Sequence, residues 1–242
     1  MKLLYVSDIH TEFNVQLELP KVDVLVLAGD IGTFKKKTLL LNFLKYAATR
    51  ATHVIYVLGN HDYWGTAIDV GSSKIQDLII KAKLHNVHLL DQATYTILDF
   101  GRSITFYGAT LWSQVSDAIQ HEINDYSKIR GPSYNKLSAS SIRAVHSKTS
   151  EWLNQTLEEI ESDVKIVVTH HMPRLTHDCH QDPYSSAYRS DMTEVMERHN
   201  PDYWIYGHTH KADDVVIFST RVLSNPLGYP GELEYSHKIL DI

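Results

Sequence analysis

Short apolar runs in the first third of the chain predict buried β-strands. They cover residues 3–6, 23–28 and 53–58, and nearly every position in them is apolar. A strand with one face in water would alternate polar and apolar residues. The continuous runs therefore indicate a sheet whose two faces are both covered.

Helical spacing of apolar residues fills the stretches between these strands. In residues 36–50, for example, Leu40 and Leu44 fall on the same helix face. Residues 72–84 and the longer segment 138–160 show the same period, which predicts helices with one apolar side. The alternation of strand and helix predicts an α/β fold.

In the remaining chain the apolar runs are shorter and closer together. Gly101 and Arg102 separate two of them in the manner of a hairpin turn, so the sheet is expected to become partly antiparallel. Residues 111–136 and 174–189 are predicted to be long polar loops, and loops as long as the first tend to be functional. With no repeat or linker between the elements, we predict one domain over residues 1–242. Strands of this part are predicted at residues 87–90, 95–100, 104–108, 164–169, 203–206, 215–218, 221–224 and 237–240.

Composition narrows the class of protein. The 242 residues are 43% hydrophobic and 21% charged, as is typical of a globular chain. The net charge is -6 without a long basic run, so we expect no general affinity for nucleic acid. Cys179 is the only cysteine, which excludes an internal disulfide and, with no signal-peptide pattern, favours the cytoplasm. No apolar run approaches the roughly 18 residues of a membrane span, and nothing in the sequence sets the oligomeric state.

Polar side chains with metal-binding groups follow five of the predicted strands. Carboxylates, imidazoles and an amide oxygen form a mixed oxygen and nitrogen set without thiolate, which suits manganese, iron, zinc or a related ion and does not choose among them. We expect manganese, with iron, zinc or nickel as alternatives. The set is too large for one ion and suits two divalent or trivalent ions, with Asp30 as a natural bridge. Two ions roughly 3.5–4 Å apart can activate a bridging hydroxide and hold a phosphate. The residues are Asp8, His10, Asp30, Asn60, His61, Asp62, His170, His171, His208 and His210.

These clusters stand in a fixed order along the chain, from residue 8 to residue 210. They resemble the five ordered motifs of the calcineurin-like metallophosphoesterases: Asp8-x-His10, Gly29-Asp30, Gly59-Asn60-His61-Asp62, His170-His171 and Gly207-His208-x-His210. The resemblance implies a four-layer α-β-β-α sandwich, in which two mixed β-sheets pack face to face and helices flank them.

The resemblance also implies roles for the motif residues. His61 would be the general acid that protonates the departing oxygen, as histidine suits proton transfer near neutral pH. One ion would be held by Asp8, His10, Asp30 and His210, and the other by Asp30, Asn60, His170 and His208.

Two positions leave the implied roles open. His170 directly ends its strand and is taken as the ligand, although exchange with His171 is an alternative. Many relatives carry an aspartate three residues after the bridging one, which orients the catalytic histidine, and this chain has Thr33 there. Asp62 or a loop residue would then orient His61.

Substrate contacts are expected from less specific positions. His171, Asn225 and Tyr229 are predicted to touch the substrate, the last two from a turn-rich segment near the rim of the site. Asn124, Asp125 and Tyr126 could reach the mouth of the cleft from the first loop. In the second loop, cleft lining and solvated surface are equally good interpretations for His177, His180, Asp182, Tyr188 and Arg189.

The resemblance implies a metal-dependent phosphoric ester hydrolase, a phosphatase or phosphodiesterase, in which a metal-bridging hydroxide attacks phosphorus. We expect a small phosphorylated substrate, no membrane contact and no long nucleic acid. One alternative is a catalytically silent binding scaffold on the same fold. Another is a metal-dependent hydrolase of a non-phosphate bond. The filled ligand positions and His61 favour the enzyme over the scaffold.

Overall fold

A computed structural model describes residues 1–176, 182 and 184–242 of the chain. Within them the strands form two sheets, one of five strands and one of six. Each sheet combines parallel with antiparallel pairs. Both sheets are therefore mixed, as the family resemblance implies.

The five-stranded sheet has a parallel body with one antiparallel edge. Its strands are β1 (Lys2–Val6), β2 (Val22–Ala28), β3 (Ala51–Val57), β4 (Val87–Leu90) and β11 (Lys238–Asp241). They lie in the order β11-β1-β2-β3-β4, and only the pair of β11 with β1 is antiparallel.

The six-stranded sheet has antiparallel strands at both edges. Its strands are β5 (Ala93–Asp99), β6 (Arg102–Ala109), β7 (Val164–Thr169), β8 (Tyr203–Tyr206), β9 (Asp213–Ile217) and β10 (Thr220–Ser224). The order is β5-β6-β7-β8-β10-β9, and the inner four strands are parallel. The hairpin expected at Gly101 joins β5 to β6, and Gly101 has a φ of 84°, which an L side chain rarely adopts.

Helices cover the outer faces of both sheets. The longer ones are α1 (Lys37–Ala48), α2 (Gly71–Lys81) and α4 (Ala139–Glu159), and the shorter ones are α3 (Asp125–Lys128), α5 (Ser185–Tyr188) and α6 (Thr193–His199). Leu40 and Ile75 of α1 and α2 pack into one core with the outer face of the five-stranded sheet. Leu153 and Met196 of α4 and α6 pack against the outer face of the other. The predicted four-layer α-β-β-α sandwich is thereby confirmed.

The inner strands of both sheets are largely apolar because each contributes to two cores. In β1, Leu3 and Tyr5 face the six-stranded sheet, whereas Leu4 and Val6 face the helices. Side chains along a strand point alternately to its two faces. Removing both faces from water therefore requires an apolar residue at every position.

No helix in the described part of the chain combines the length and the hydropathy needed to cross a membrane.

Candidate metal centre

The five motifs meet where the parallel strands of both sheets end. β1, β2 and β3 end two or three residues before Asp8, Asp30 and Asn60, and β7 and β8 end just before His170 and His208. Carboxyl ends of parallel strands lie at the same edge of a sheet, which is where ligands bind in such folds. The face-to-face packing of the sheets brings the two sets of strand ends together.

The loops approach so closely that side chains at two positions would collide. A Cβ on Gly59 would lie 2.1 Å from Oδ1 of Asp30, and one on Gly207 would lie 2.6 Å from Cβ of Ser7. Asp8 and Asp30 adopt left-handed backbone angles, with φ of 54° and 55°. Non-glycine residues hold such angles where the surrounding structure imposes them, often at functional sites.

Two groups of donor atoms form at this edge, and a third group joins them. Atoms within each group lie within 4.8 Å of one another. Each outer group contains three of the four residues of one ligand set that the resemblance implies. The middle group shares His10 with the first and Asp30 with the last. The groups are Asp8, His10 and His210; His10, Asp30 and His61; and Asp30, His170 and His208.

In the first donor group, two histidine rings direct nitrogen lone pairs toward each other. Nε2 of His10 lies 3.2 Å from Nε2 of His210. Nδ1 of His10 lies 3.2 Å from a carboxylate oxygen of Glu12, and Nδ1 of His210 lies 2.7 Å from one of Glu232. Each Nδ1–H donates to its glutamate, so each neutral ring turns an acceptor Nε2 toward the other. Such a pair is stabilised only by a proton or a cation between the rings.

The second donor group has the same arrangement around Asn60. Nδ1 of His170 donates to the carbonyl oxygen of Ala28 at 2.9 Å, and its Nε2 lies 3.1 Å from Oδ1 of Asn60. The amide nitrogen of Asn60 donates to Asp125 at 3.0 and 3.1 Å. Both facing atoms are again acceptors, so the residues present fit a cation here as well.

Asp30 lies between the two groups, as a bridging ligand would. Its Oδ1 lies 3.3 Å from Nε2 of His170, and its Oδ2 lies 4.0 Å from Nε2 of His10. Oδ1 also accepts a hydrogen bond from the backbone N–H of His61 at 2.8 Å. Burial alone would raise the pKa of Asp30, but the neighbouring imidazoles of His170 and His61 hold it well below the ordinary value.

The centre also favours positive charge on two of its histidines. Burial lowers the pKa of His170, but the nearby carboxylates, that of Asp30 above all, outweigh it and raise the pKa to about 9. In the same way Asp8 outweighs burial at His210, whose pKa is raised to about 9. A cation can replace these protons, since metal ions and protons compete for the same nitrogen lone pairs.

His61 is held at three points beside the donor groups. Its Nδ1 donates to Oε1 of Glu12 at 3.1 Å, and its ring stacks on Trp64 with centroids 3.7 Å apart. The hydrogen bond from the backbone N–H of His61 to Oδ1 of Asp30 fixes its backbone. Thr33 takes no part, because its hydroxyl accepts from Lys36 and caps the short helix Phe34–Lys36. Glu12, in the short helix Thr11–Phe13, is therefore the carboxylate that orients His61, and it is neither Asp62 nor a loop residue.

Asp62 has another set of partners. Its two carboxylate oxygens accept from the backbone N–H groups of Asp30, Gly32 and Gly59 and from the hydroxyl of Tyr56, at 2.6–3.1 Å. These four donors saturate the carboxylate. Through them Asp62 connects the loop after β2, which carries Asp30, to the loop after β3. The geometry favours a positioning role for Asp62 over the predicted catalytic one.

Two of the three predicted substrate contacts lie behind the cleft wall. Nδ1 of His171 lies 3.1 Å from the carbonyl oxygen of Thr110, and its ring packs 4.3 Å from that of His208. The amide of Asn225 donates to the carbonyl oxygens of Tyr5 and Ser236. Both residues are buried, so the geometry does not support substrate contact for either.

Tyr229 does reach the centre. Its ring lies 4.6 Å from that of His10 and 4.8 Å from that of His210, and 40% of the residue is exposed. Burial and the surrounding carboxylates raise the pKa of its hydroxyl, which therefore stays protonated near neutral pH.

The donor groups open into a cleft of about 770 Å³. Both long loops contribute to its wall, the first with Asn124 and Asp125 and the second with Asp182, Tyr188 and Arg189. His177 and His180 lie outside the described residues. A cleft of this volume accommodates a small organic molecule.

Sequence reasoning gave no role to two residues that support the centre. Glu12 holds two histidines from a position two residues after His10, and Glu232 holds His210 from the segment before β11. Glu232 carries no recognisable motif. The signal for Glu12 was available, because a carboxylate was missing at Thr33 and Glu12 stands next to the first motif.

This chain matches the model of a known protein family. A model described as calcineurin-like phosphoesterase matches residues 1–212. Protein L509 of Acanthamoeba polyphaga mimivirus is 27% identical over 95% of this chain and 92% of its own length. UPF0046 protein K07C11.7 of Caenorhabditis elegans is 26% identical over 89% of this chain and 66% of its own length.

Solved structures share the fold at low sequence identity. The phosphopantetheinyl hydrolase PptH from Mycobacterium tuberculosis superposes with a TM-score of 0.70 at 20% identity, covering 95% of this chain and 90% of that one. TT1561 of Thermus thermophilus gives a TM-score of 0.55 at 12% identity, covering 93% and 88%.

Proposed function

The chain belongs to the calcineurin-like phosphoesterase family, and on that premise we propose that it hydrolyses a phosphoric ester of a small organic molecule with two bound metal ions. The observation that carries the proposal is the position of Asp30. Its carboxylate joins two groups of metal-type donors, and His61 stands beside them at the wall of the cleft.

The proposed ligands divide between the two ions. Asp8, His10 and His210 would hold one ion, His170, His208 and Asn60 the other, and Asp30 both. Bound there, two ions would supply an activated water and neutralise charge on the phosphoryl oxygens. Manganese is the ion we would test first, since oxygen and imidazole donors suit it.

The remaining chemistry belongs to side chains of this chain. Nδ1 of His61 is committed to Glu12, so Nε2 is the atom available to carry a proton to the departing oxygen. Burial lowers the pKa of His61, but the Asp30 and Glu12 carboxylates outweigh it and raise the pKa. A raised pKa keeps the proton on the ring near neutral pH, as a general acid requires.

The substrate class is proposed from the cleft and the charge of the chain. About 770 Å³ suits a small molecule, and a net charge of -6 does not favour long nucleic acid. PptH, which shares the fold, is named as a phosphopantetheinyl hydrolase, which is consistent with a phosphorylated substrate. We propose a phosphomonoester or a phosphodiester and leave the choice to experiment.

The first experiment compares p-nitrophenyl phosphate with bis(p-nitrophenyl) phosphate. The purified chain is stripped of metal and assayed with and without added Mn²⁺, and bound metal is counted by mass spectrometry. Turnover restored by Mn²⁺ on either ester supports the proposal, and the preferred ester identifies the class. A chain that binds no metal and hydrolyses neither ester would overturn it in favour of the binding scaffold.

A further inference from the structure

Two exposed aromatic rings stand next to each other beside the first donor group, and one of them, Tyr229, lines the cleft. Phe13 is 51% exposed and Tyr229 is 40% exposed, and their rings meet edge to face with centroids 5.6 Å apart. Phe13 ends the short helix Thr11–Phe13 that follows the first motif. Adjacent exposed aromatic residues at the rim of a site are characteristic of ligand contacts.

The pair is continuous with the centre. The Tyr229 ring packs on the rings of His10 and His210, and its centroid lies 6.3 Å from that of His61. The Phe13 ring lies 6.2 Å from that of His10. The aromatic surface therefore begins at the first donor group, and Tyr229 brings it close to His61.

Supporting contacts hold Tyr229 in this place. The backbone N–H of Tyr229 donates to a carboxylate oxygen of Glu232 at 2.8 Å, and the same oxygen accepts from Nδ1 of His210. Next to it, the N–H of Gly228 donates to the carbonyl oxygen of Asp8 at 3.0 Å. The ring is thus anchored to the first and last motifs before a ligand arrives, which reduces the entropy lost on binding.

We propose that Phe13 and Tyr229 form a subsite for a planar, apolar group on the departing alcohol of the substrate, such as an aryl or nucleoside ring. This inference rests on the proposed function. The departing oxygen must lie near His61, which protonates it, and the Tyr229 ring lies 6.3 Å from that of His61 with the Phe13 ring packed against it. A flat group attached to the oxygen would lie against these two rings.

The second donor group has another aromatic neighbour. His208 packs there against Tyr188, with ring centroids 4.9 Å apart, whereas the Tyr229 ring packs on His10 and His210 of the first group. Because the Tyr229 ring also lies near His61, the group closest to the aromatic pair is the one carried by the departing oxygen.

The test separates the shape of the departing alcohol from its acidity. The metal-loaded enzyme is assayed on an aryl phosphate ester and on a fluorinated alkyl ester whose alcohol has a matched pKa, using the mono- or diester form that the enzyme prefers. We expect a higher kcat/KM for the aryl ester. In Phe13→Ala the ratio of aryl to alkyl kcat/KM should fall by about three- to ten-fold, the size of one aromatic contact.

Two further variants show whether the flat ring of Phe13 is what the aryl preference requires. Phe13→Leu keeps an apolar side chain without a flat face, so it should lose part of the aryl preference. Phe218→Ala removes a ring that is 55% exposed in the turn between β9 and β10, and it should keep the wild-type ratio. An unchanged ratio in Phe13→Ala, with both esters hydrolysed by the wild type, would overturn the subsite and leave the phosphoesterase intact. Hydrolysis of neither ester would overturn the proposed function itself.

Discussion

Oε1 of Glu12 lies 3.1 Å from Nδ1 of His61 and 3.2 Å from Nδ1 of His10. One buried carboxylate oxygen therefore orients both the proposed proton donor and a proposed metal ligand. Burial alone would raise the pKa of Glu12, but the hydrogen bonds from the two histidines outweigh it and lower the pKa to about 2. The carboxylate remains charged wherever the enzyme is expected to work.

Replacing Glu12 with Gln should reduce kcat more than it raises KM. The amide cannot accept as strongly from two N–H groups, and loss of such a partner typically costs about 10- to 100-fold in activity or metal affinity. Because His61 would be misplaced, the loss in kcat should be larger for esters with poorly acidic alcohols than for p-nitrophenyl esters. Steady-state kinetics over a series of leaving groups measures this.

The exposed Glu234 provides a matched control for that change. Glu234→Gln removes the same charge outside the centre and should behave as wild type. A uniform loss over all leaving groups in Glu12→Gln, with full metal content, would argue against an effect through His61.

His61→Ala should keep two metal ions per chain and lose turnover. General acid catalysis by a positioned side chain contributes about 10²- to 10⁴-fold, and the loss should be greatest where the departing alcohol is a poor leaving group. Metal content by mass spectrometry and kcat are measured on the same preparation, with the exposed His85→Ala as control. Near wild-type turnover on a poor leaving group would remove His61 from this role.

Asp30→Asn should lose metal and activity together. Asp30 belongs both to the last donor group and to the middle group, which contains His10 of the first, and an amide bridges two cations poorly. Bound metal stabilises the folded chain by about 4 kcal/mol when its concentration is a thousand times Kd. Chelation should therefore lower the Tm of the wild type and leave that of Asp30→Asn nearly unchanged.

The exposed Asp77, on α2, serves as the matched position for this test. Asp77→Asn should retain both ions and the response to chelator. Two ions per chain in Asp30→Asn would show that Asp30 is not the bridge.

Asp125→Asn should weaken binding of the ion that Asn60 is proposed to hold. Asp125 accepts from the amide nitrogen of Asn60 and from the indole N–H of Trp64 at 2.8 Å, which fixes the amide oxygen toward His170. An amide at position 125 would relax that orientation, so we expect about 10- to 100-fold weaker binding of one ion. Metal titration by calorimetry should resolve this as a loss confined to one of two binding events.

Asp117 lies in the same loop, with an exposed side chain paired to Arg143. Asp117→Asn should leave both binding events as in the wild type. Equal weakening of both events in Asp125→Asn would indicate a general disturbance of the loop.

The sequence alone determined that the strands are buried on both faces, and it supplied the candidate ligands. Continuous apolar strands such as residues 164–169 and 203–206 reappear with the same bounds in β7 and β8, because burial on both faces leaves a local pattern. The ligand residues could also be identified locally. The chemistry of carboxylate, imidazole and amide donors is carried by residue type, and each cluster directly follows a strand.

Tertiary structure alone decided which side chains support those ligands. Asp125 reaches Asn60 across 65 positions, and Glu232 reaches His210 from a segment without a motif. Asp62, the nearest carboxylate in sequence to His61, turns instead to three backbone N–H groups and Tyr56. A hydrogen bond needs two atoms within about 3 Å in a favourable direction. That condition depends on how the loops of two sheets pack together, and no local pattern of residues encodes it.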